Sequence, residues 1–303
     1  MISSQIRYYK HDAIDKVKWD ACIRSAPNGL IYAYSFYLDT MAGNWDALIS
    51  GDYDIVMPLP YRSRFGIKYI YQPFLCAQLG ALGNELNPRI VDEMIDAIPG
   101  SFKLVEYPLN QGNFSPAKAA TRHNYVLDLK GDYDNLYNNY RENIQRNIKK
   151  AYQLGCISKK EVDVEEVIKL ALTQMRTKDR STGTNAERFR KLYGLLRQKN
   201  MATTYGILSG KGELISSAVF FFSHERAYYI LVGNHPNGRT IGASHAMIDA
   251  FIKDHAGRNM VLDFEGSDIR NLAFFYSSFG AKLETYPALY LNRLPFYLRW
   301  LKR

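Results

Sequence analysis

Two carboxylates near the end of one predicted strand are the best candidates for chemistry in this sequence. Asp263 and Glu265 lie in residues 260–265, a short apolar run that predicts a buried strand. Residues two apart on a strand point to the same face. A carboxylate there can take a proton from an attacking nucleophile, directly or through water. We therefore expect Glu265 to be a catalytic general base with Asp263 beside it; the alternative for either is a capping or salt-bridging role.

A glycine-rich segment upstream has the composition of an anion-binding loop. Residues 233–244 carry three glycines and a proline between a predicted strand and a helical pattern that ends at Gly257. The first N–H groups of a helix lack partners inside the helix, and the helix dipole favours an anion there. The segment therefore predicts a phosphate-binding turn. The residues expected to form this turn and to bind a cofactor through its phosphates are Asn237, Gly238, Arg239, Thr240, Ile241, Gly242, Ala243 and Ser244.

The elements around these residues predict one α/β layer. Residues 215–222 and 227–232 are β-type runs separated by four polar residues, which indicates a hairpin. The glycine-rich segment and its helix follow, then the strand with the two carboxylates. A second helix comes next, which Ser267 or Asp268 can cap and Gly280 closes. A β-β-loop-α-β-α order of this kind places a crevice at the strand ends.

The glycine-rich segment resembles the donor loop of GNAT acyltransferases. The family pattern Arg/Gln-x-x-Gly-x-Gly/Ala corresponds here to Arg239-x-x-Gly242-x-Ser244, and the chain departs from the pattern at Ser244. The resemblance implies that this loop grips the pyrophosphate of acyl-CoA, which would be the co-substrate. The departure at Ser244 puts that grip in question, because close approach of the backbone at this position favours glycine or alanine.

A tyrosine in the following helix extends the GNAT resemblance. The family element Tyr-x-x-x-Gly-Phe is similar to Tyr276-x-x-x-Gly280-Ala281. The resemblance implies a catalytic role in which Tyr276 protonates the leaving thiolate. Core packing is the alternative, because the same helix carries three phenylalanines. These are Phe274, Phe275 and Phe279.

The earlier part of the chain predicts a second set of α/β elements. A helical segment at 133–154 contains Arg146-Asn147-Ile148-Lys149-Lys150-Ala151. It resembles a helix of the Fem family of peptidoglycan aminoacyl transferases, which consist of two GNAT-like domains. The resemblance implies an α/β (α+β) fold of two tandem GNAT-like domains, each a mixed sheet flanked by helices, at 1–131 and 132–303. The long helical arm of some Fem proteins has no counterpart in this sequence.

The positive charge is concentrated in the middle of the chain. The sequence has 39 Lys and Arg against 30 Asp and Glu, a net charge of +9. Residues 141–199 hold 15 basic and 7 acidic residues, a net of +8. This predicts an anionic partner, with a solvated helical face as the alternative. Arg176, Lys178 and Arg180 lie here in a wholly polar stretch and are the expected substrate-binding residues; an ordinary surface loop is their alternative.

Other classes of protein are not expected. No apolar run reaches the roughly twenty residues that cross a bilayer, and the first residues lack the apolar core of a signal peptide. We therefore expect a cytoplasmic protein without a membrane span. The three cysteines are far apart and odd in number, which argues against a disulfide framework or a structural zinc site. We expect no metal.

Three functions fit these patterns. The first is an N-acyltransferase that moves an acyl group from acyl-CoA to a small-molecule amine. The second is a Fem-like transferase acting on a cell-wall precursor, in which the basic region would meet transfer RNA or the precursor diphosphate; the missing arm places it second. The third is a non-catalytic binding protein with the GNAT fold, which the departure at Ser244 supports. The acceptor, the acyl-chain length and the oligomeric state stay open.

Overall fold

The computed structural model describes residues 5–114, 119–174, 181–266 and 268–296. The chain forms two compact units. Met1–Arg122 with Thr285–Arg303 make the first, and His123–Glu284 make the second. The predicted domain division between residues 131 and 132 stays a prediction, because compactness does not test which segments fold independently.

Strands and helices are interspersed along the described part of the chain. Before residue 115 they are strands β1 (Ile6–Tyr9), β2 (Trp45–Ser50), β3 (Ile55–Arg64), β4 (Ile67–Ile70), β5 (Leu82–Gly83) and β6 (Phe102–Pro108), and helices α1 (Lys16–Ser25), α2 (Ser35–Met41) and α3 (Pro88–Asp96). From residue 119 on they are strands β7 (Ala119–Asp128), β8 (Ile157–Lys160), β9 (Ala202–Leu208), β10 (Leu214–Ser223), β11 (Arg226–Asn234), β12 (Val261–Asp263) and β13 (Lys282–Asn292), and helices α4 (Tyr133–Asn138), α5 (Glu142–Gln153), α6 (Val164–Gln174), α7 (Ser181–Gln198), α8 (Pro236–Ile241), α9 (Ala243–His255) and α10 (Arg270–Ser277).

The first unit is built on a mixed sheet of order β1-β2-β3-β4-β6-β13, with β5 paired to β3. Only the β4–β6 pair within this order is parallel. Helix α1 begins where it does because the Asp15 carboxylate accepts hydrogen bonds from the first free N–H groups of the helix. Its buried Trp19 lies 5.0 Å from the ring of Trp45 on β2. Helix and sheet therefore share one aromatic core.

The second unit carries a sheet of order β7-β12-β11-β10-β9-β8. Strands β10 and β11 form the predicted hairpin, and its two turn residues, His224 and Glu225, both have left-handed backbones. Such a turn matches the twist of the two strands. Strand β12 pairs in parallel with β11 and antiparallel with β7. The predicted mixed sheet with helices around it is confirmed.

Helices cover both faces of the second sheet. Phe220 of β10 stacks on Phe251 of α9 at 3.7 Å, and the next residue, Phe221, stacks on Phe189 of α7 at 5.8 Å. Because successive side chains of a strand point to opposite faces, α9 and α7 lie on opposite sides of the sheet. Helices α5 and α10 share the core on the α9 side.

Two predicted elements differ from the structure. The helix predicted over 133–154 is broken into α4 and α5, because Arg141 is extended and its N–H donates to the Ser278 carbonyl instead of continuing a helix. The loop predicted over 233–244 contains the short helix α8. Helix α10 begins at Arg270 and its N-cap residue is Ile269, which makes no side-chain cap, rather than either predicted residue. Asp268 is the residue before Ile269, and Ser267 lies outside the described residues.

Candidate active site

The second sheet opens where β12 leaves β11. Strand β12 ends at Asp263, opposite Tyr228, whereas β11 continues to Asn234 without a partner strand on that side in the described part of the chain. On its other side, the register of β11 against β10 shifts and leaves Ile230 as the extra residue of a β-bulge. The combination forms a divergence between two parallel strands, and the main-chain groups of β11 line it.

Glu265 lies at the mouth of this divergence in an unusual backbone conformation. Its φ is 65° and that of Gly266 is 84°, so two successive residues are left-handed. This region is unfavourable for a residue with a side chain unless its surroundings hold it. The N–H of Glu265 donates to Asp263 Oδ1 at 2.8 Å. The chain therefore turns sharply at the predicted base.

Tyr276 packs beside the predicted base, against the residue that precedes Glu265. The Tyr276 ring stacks on Phe264 at 4.6 Å and lies edge-on to Tyr229 of β11 at 6.4 Å. Burial, and then the negative charge of Glu265, raise the pKa of Tyr276, so its hydroxyl keeps its proton at neutral pH. The structure thus brings together the residue predicted to accept a proton and the residue predicted to donate one.

Asp263 occupies a different environment from Glu265. It is 2% exposed and its Oδ2 lies 2.5 Å from the guanidinium of Arg226, which also contacts Glu284 at 3.1 Å. Burial opposes the charge of Arg226, but the two carboxylates outweigh burial and raise the pKa of Arg226. Both oxygens of Asp263 are therefore in use, one on Arg226 and one on the Glu265 N–H. The two predicted carboxylates are neighbours with separate tasks.

Sequence reasoning missed three residues that surround these carboxylates. Arg226 stood in the polar break of the hairpin, where a charged residue is ordinary. Asn124 and Glu284 come from β7 and β13, which carried no catalytic pattern. The Asn124 amide donates to Glu284 and its oxygen accepts the Gly266 N–H. No signal in the sequence connects Asn124 with Gly266, because 142 positions separate them.

The predicted donor loop forms the junction between α8 and α9. Helix α8 is capped by His235, whose Nδ1 accepts the Asn237 N–H at 3.2 Å, and Gly242 links the two helices with φ of 82°. Among the predicted loop residues, Asn237 and Thr240 are exposed, Ile241 and Ser244 are half-buried, and Gly238, Gly242 and Ala243 are buried. The backbone of Arg239 belongs to α8, and its side chain lies outside the described part of the structure.

The glycine at this junction is needed for packing against α5. A Cβ on Gly242 would lie 2.4 Å from the Asn147 carbonyl oxygen, in addition to the strain of a left-handed side-chain-bearing residue. From the same helix, Lys150 donates its ammonium to the Thr240 carbonyl at 2.9 Å. On the side where a Cβ would stand, the backbone of Gly242 therefore lies close to α5, whose exposed Arg146, Lys149 and Lys150 carry positive charge. The predicted approach to a pyrophosphate stays a prediction.

The predicted substrate-binding residues Arg176, Lys178 and Arg180 lie outside the described residues. The structure describes where their segment starts. Gln174, the last residue of α6, accepts the N–H of Asn234 at the end of β11 through its Oε1 at 2.8 Å. The chain therefore leaves α6 at the end of β11.

The described residues offer neither a metal centre nor a membrane helix. No group of three or more His, Cys, Asp or Glu side chains among them could hold a metal ion. Among the same residues, no helix has the length and apolarity that crossing a bilayer requires.

Comparison with known proteins confirms the fold. Residues 138–269 match the family model described as an acetyltransferase (GNAT) domain. A crystal structure of FemX superposes with a TM-score of 0.64 at 13% identity, over 95% of this chain and 98% of that one. A conserved protein of unknown function from Bacteroides thetaiotaomicron gives 0.58 at 12% identity over 94% and 99%.

A third similar structure is the C-terminal domain of a putative lysylphosphatidylglycerol synthetase from Agrobacterium fabrum, with a TM-score of 0.52 at 9% identity, over 93% of this chain and 92% of that one. No curated protein sequence matches this chain. The predicted resemblance to GNAT domains and to the Fem fold is thus confirmed, and at these identities the structural matches establish the fold alone.

Proposed function

We propose that this chain, which carries a GNAT acetyltransferase domain and has the fold of FemX, is an N-acyltransferase that moves an acyl group from acyl-CoA to a small-molecule amine. The observation that carries the proposal is that the Tyr276 ring stacks on Phe264, the residue next to Glu265, at the point where β12 leaves β11. One group that can accept a proton and one that keeps its proton at neutral pH stand beside an opening in the sheet. Acyl transfer needs one of each.

The reaction assigns a step to each residue. The amine nitrogen attacks the thioester carbonyl, and Glu265 takes a proton from that nitrogen, directly or through water. As the new C–N bond forms, the carbonyl oxygen becomes negative, and N–H groups on the unpaired edge of β11 are suited to stabilise it. The C–S bond then breaks, and Tyr276 gives its proton to the departing thiolate. The products are an amide and the free thiol of CoA.

The junction of α8 and α9 would hold the phosphates of acyl-CoA. The start of α9 offers the positive end of its helix dipole, and residues 237–244 surround that end. Arg239 in α8 would supply a guanidinium suited to phosphate. Lys150, fixed on the carbonyl of Thr240, adds a cation beside the junction.

A Fem-like transfer from aminoacyl-tRNA to a cell-wall precursor is the second candidate. It is favoured by the basic residues Arg146, Lys149 and Lys150, which α5 exposes, since the phosphates of a nucleic-acid backbone bind to a basic surface. We place it second because the longest helix among the described residues is α7, with 18 residues, which is too short for the helical arm of some Fem proteins. Both donors are cytoplasmic molecules, in line with the location expected from the sequence.

Calorimetric titration with acetyl-CoA, longer acyl-CoAs and aminoacylated transfer RNA would test the proposal. We expect acyl-CoA to bind and Arg239→Ala to weaken that binding about tenfold, as expected for a lost charged hydrogen bond. Lys211→Ala, an exposed charge loss in the turn before β10, is the matched control and should change nothing.

The same titrations give the results that would overturn the proposal. Binding of transfer RNA alone, with a steep dependence on salt, would support the second candidate. Binding of neither donor would leave a GNAT-fold binding protein without this activity.

A further inference from the structure

A buried polar network lies directly beneath the left-handed turn at Glu265 and Gly266. The guanidinium of Arg226 contacts Asp263 at 2.5 Å and Glu284 at 3.1 Å. The Asn124 amide then donates to Glu284 Oε2 at 3.0 Å. These four side chains come from β11, β12, β13 and β7, so one chain of hydrogen bonds crosses the adjoining strands.

The network ends on the main chain of the turn. Asp263 Oδ1 accepts the Glu265 N–H at 2.8 Å, and Asn124 Oδ1 accepts the Gly266 N–H at 2.6 Å. Asn124 is fully buried and Asp263 is 2% exposed. Each acceptor is itself oriented by the next member of the network, so the positions of both N–H groups depend on Arg226.

Burying this much polarity is unfavourable unless every group is paired. A buried ion pair is often no more stable than apolar residues of the same shape, and losing one partner is strongly destabilising. Apolar side chains in place of the whole network would leave the sheet intact, because β12 is held to both neighbours by main-chain pairing. Fold stability alone therefore gives no reason for the network, whereas the conformation of Glu265 does.

We propose that Arg226 and Asn124 are positioning residues that, through Asp263 and Glu284, hold Glu265 in its left-handed conformation and aim its carboxylate into the divergence of β11 and β12. This inference rests on the proposed role of Glu265 as the base. Without the two acceptors, the backbone at Glu265 would relax toward the favoured right-handed or extended regions, and the carboxylate would move away from the substrate nitrogen.

Steady-state kinetics of Asn124→Ala test the proposal. We expect kcat to fall about 10- to 100-fold with KM nearly unchanged, because displacement of a catalytic group by about 1 Å has effects of this size. In a Glu265→Gln background the same substitution should have no further effect on kcat, since a residue that acts through Glu265 cannot contribute once the base is gone. Asn135→Ala, on the exposed surface of α4, is the control and should retain kcat.

A direct measurement of the turn accompanies the kinetics. Hydrogen exchange at the Gly266 N–H should quicken in Asn124→Ala and stay slow in the control. Arg226→Lys provides a second variant that keeps the charge between Asp263 and Glu284 but cannot contact both as a planar fork. It should give an intermediate loss of kcat, so the test does not depend on one variant that folds poorly.

Three results would overturn the positioning role. One is a normal kcat in Asn124→Ala although Gly266 exchanges quickly. Another is an equal fold-loss from Asn124→Ala with and without Glu265→Gln, which would show an effect that does not pass through the base. The third is unchanged turnover in Glu265→Gln alone, which removes the base assignment of the proposed function and the positioning role together. The first two leave the base assignment standing, so the failures are distinguishable.

Discussion

Gly242 and Glu265, two of the left-handed positions beside the candidate active site, are stabilised in different ways. At the junction of α8 and α9 the residue is Gly242, with φ of 82°, and the neighbouring carbonyl of Asn147 leaves no room for a side chain. At the end of β12 the residue is Glu265, with φ of 65°, and a buried polar network holds its backbone. At Gly242 the left-handed backbone is accommodated because the residue has no side chain. At Glu265 the side chain is present, and hydrogen bonds to the backbone N–H groups stabilise the conformation.

The difference shows what each position is for. A glycine at a tight helix contact is sufficient when only the path of the chain matters. A glutamate in the same backbone region costs about 1–2 kcal/mol more. At Glu225 the twist of the hairpin accounts for such a residue, and at Glu265 the proposed role as the base does. Gly242 therefore has a packing role in addition to its place in the proposed donor site, so its substitution should change stability, whereas substitution at the turn should change turnover without changing stability.

Replacement of the turn carboxylate is the sharpest test of this contrast. We expect Glu265→Gln to lower kcat by about 100- to 10,000-fold, the usual contribution of a general base, with donor and acceptor affinities nearly unchanged. The free energy of unfolding should stay within about 0.5 kcal/mol of the parent, because the amide keeps the size of the side chain. Steady-state kinetics measure the loss of kcat, and urea unfolding of the same preparation measures the free energy of unfolding. Unchanged turnover would contradict the proposed role of Glu265 as the general base.

Gly242→Ala should have the opposite signature. The added Cβ meets a backbone oxygen at 2.4 Å in a left-handed conformation, so we expect the free energy of unfolding to fall by about 3 kcal/mol. Urea unfolding measures this.

The control for that variant is Gly194→Ala in the middle of α7. Its Cβ would meet nothing within 4 Å, and alanine there should raise stability by up to about 1 kcal/mol. If both alanines had the same effect, Gly242 would not be a packing position.

Much of this arrangement could be predicted from the sequence. The β10–β11 hairpin and the helix ending before Gly257 follow from local periodicity and glycine placement, and both are present. The strand predicted over 260–265 is shorter, Val261–Asp263, so it carries Asp263 but not Glu265, and the prediction that both carboxylates share one strand face is wrong. The fold class followed from the order of these elements and from the resemblances. Such features depend on residues close together in the chain, where type and spacing carry the information.

The rest depends on contacts between distant segments. The bulge at Ile230 exists only in the register of β11 against β10, and a single strand does not encode it. The break between α4 and α5 depends on Ser278, far along the chain from Arg141. The packing role of Gly242 needs α5 to be in place. The features that the sequence did not predict are therefore those that depend on pairing between distant segments.

Two buried aspartates, Asp249 and Asp263, differ in the partners that their carboxylates have. Asp249 in α9 is 3% exposed, and its main partner is the hydroxyl of Tyr133, which donates to both carboxylate oxygens at 3.0 and 3.2 Å. Asp263, by contrast, has a guanidinium. Burial raises the pKa of Asp249 to about 6, although the Tyr133 hydroxyl and the charge of Lys253 oppose the shift.

The stability of the protein should depend on pH through Asp249. Because its pKa is higher in the folded than in the unfolded chain, the folded state binds the proton more tightly, and this contribution is complete below about pH 4. It is lost as the pH rises to about 6 and beyond, and the free energy of unfolding should drop by about 2 kcal/mol. Urea unfolding of the parent and of Asp249→Asn from pH 4 to 8 isolates this term as the difference between two curves. Parallel curves would contradict it.

The smallest expected effect concerns two adjacent serines of β10, both fully buried. The Ser216 hydroxyl donates to Asn234 Oδ1 at 2.7 Å, whereas the Ser217 hydroxyl has no hydrogen-bond partner among the described residues. Ser216→Ala should lower the free energy of unfolding by about 1 kcal/mol, and Ser217→Ala should leave it unchanged or raise it by up to about 1 kcal/mol, since an unpaired buried hydroxyl is itself unfavourable. Each variant is the control for the other in urea unfolding. A loss in Ser217→Ala as large as in Ser216→Ala would mean that the Ser217 hydroxyl has a partner, such as a buried water, in solution.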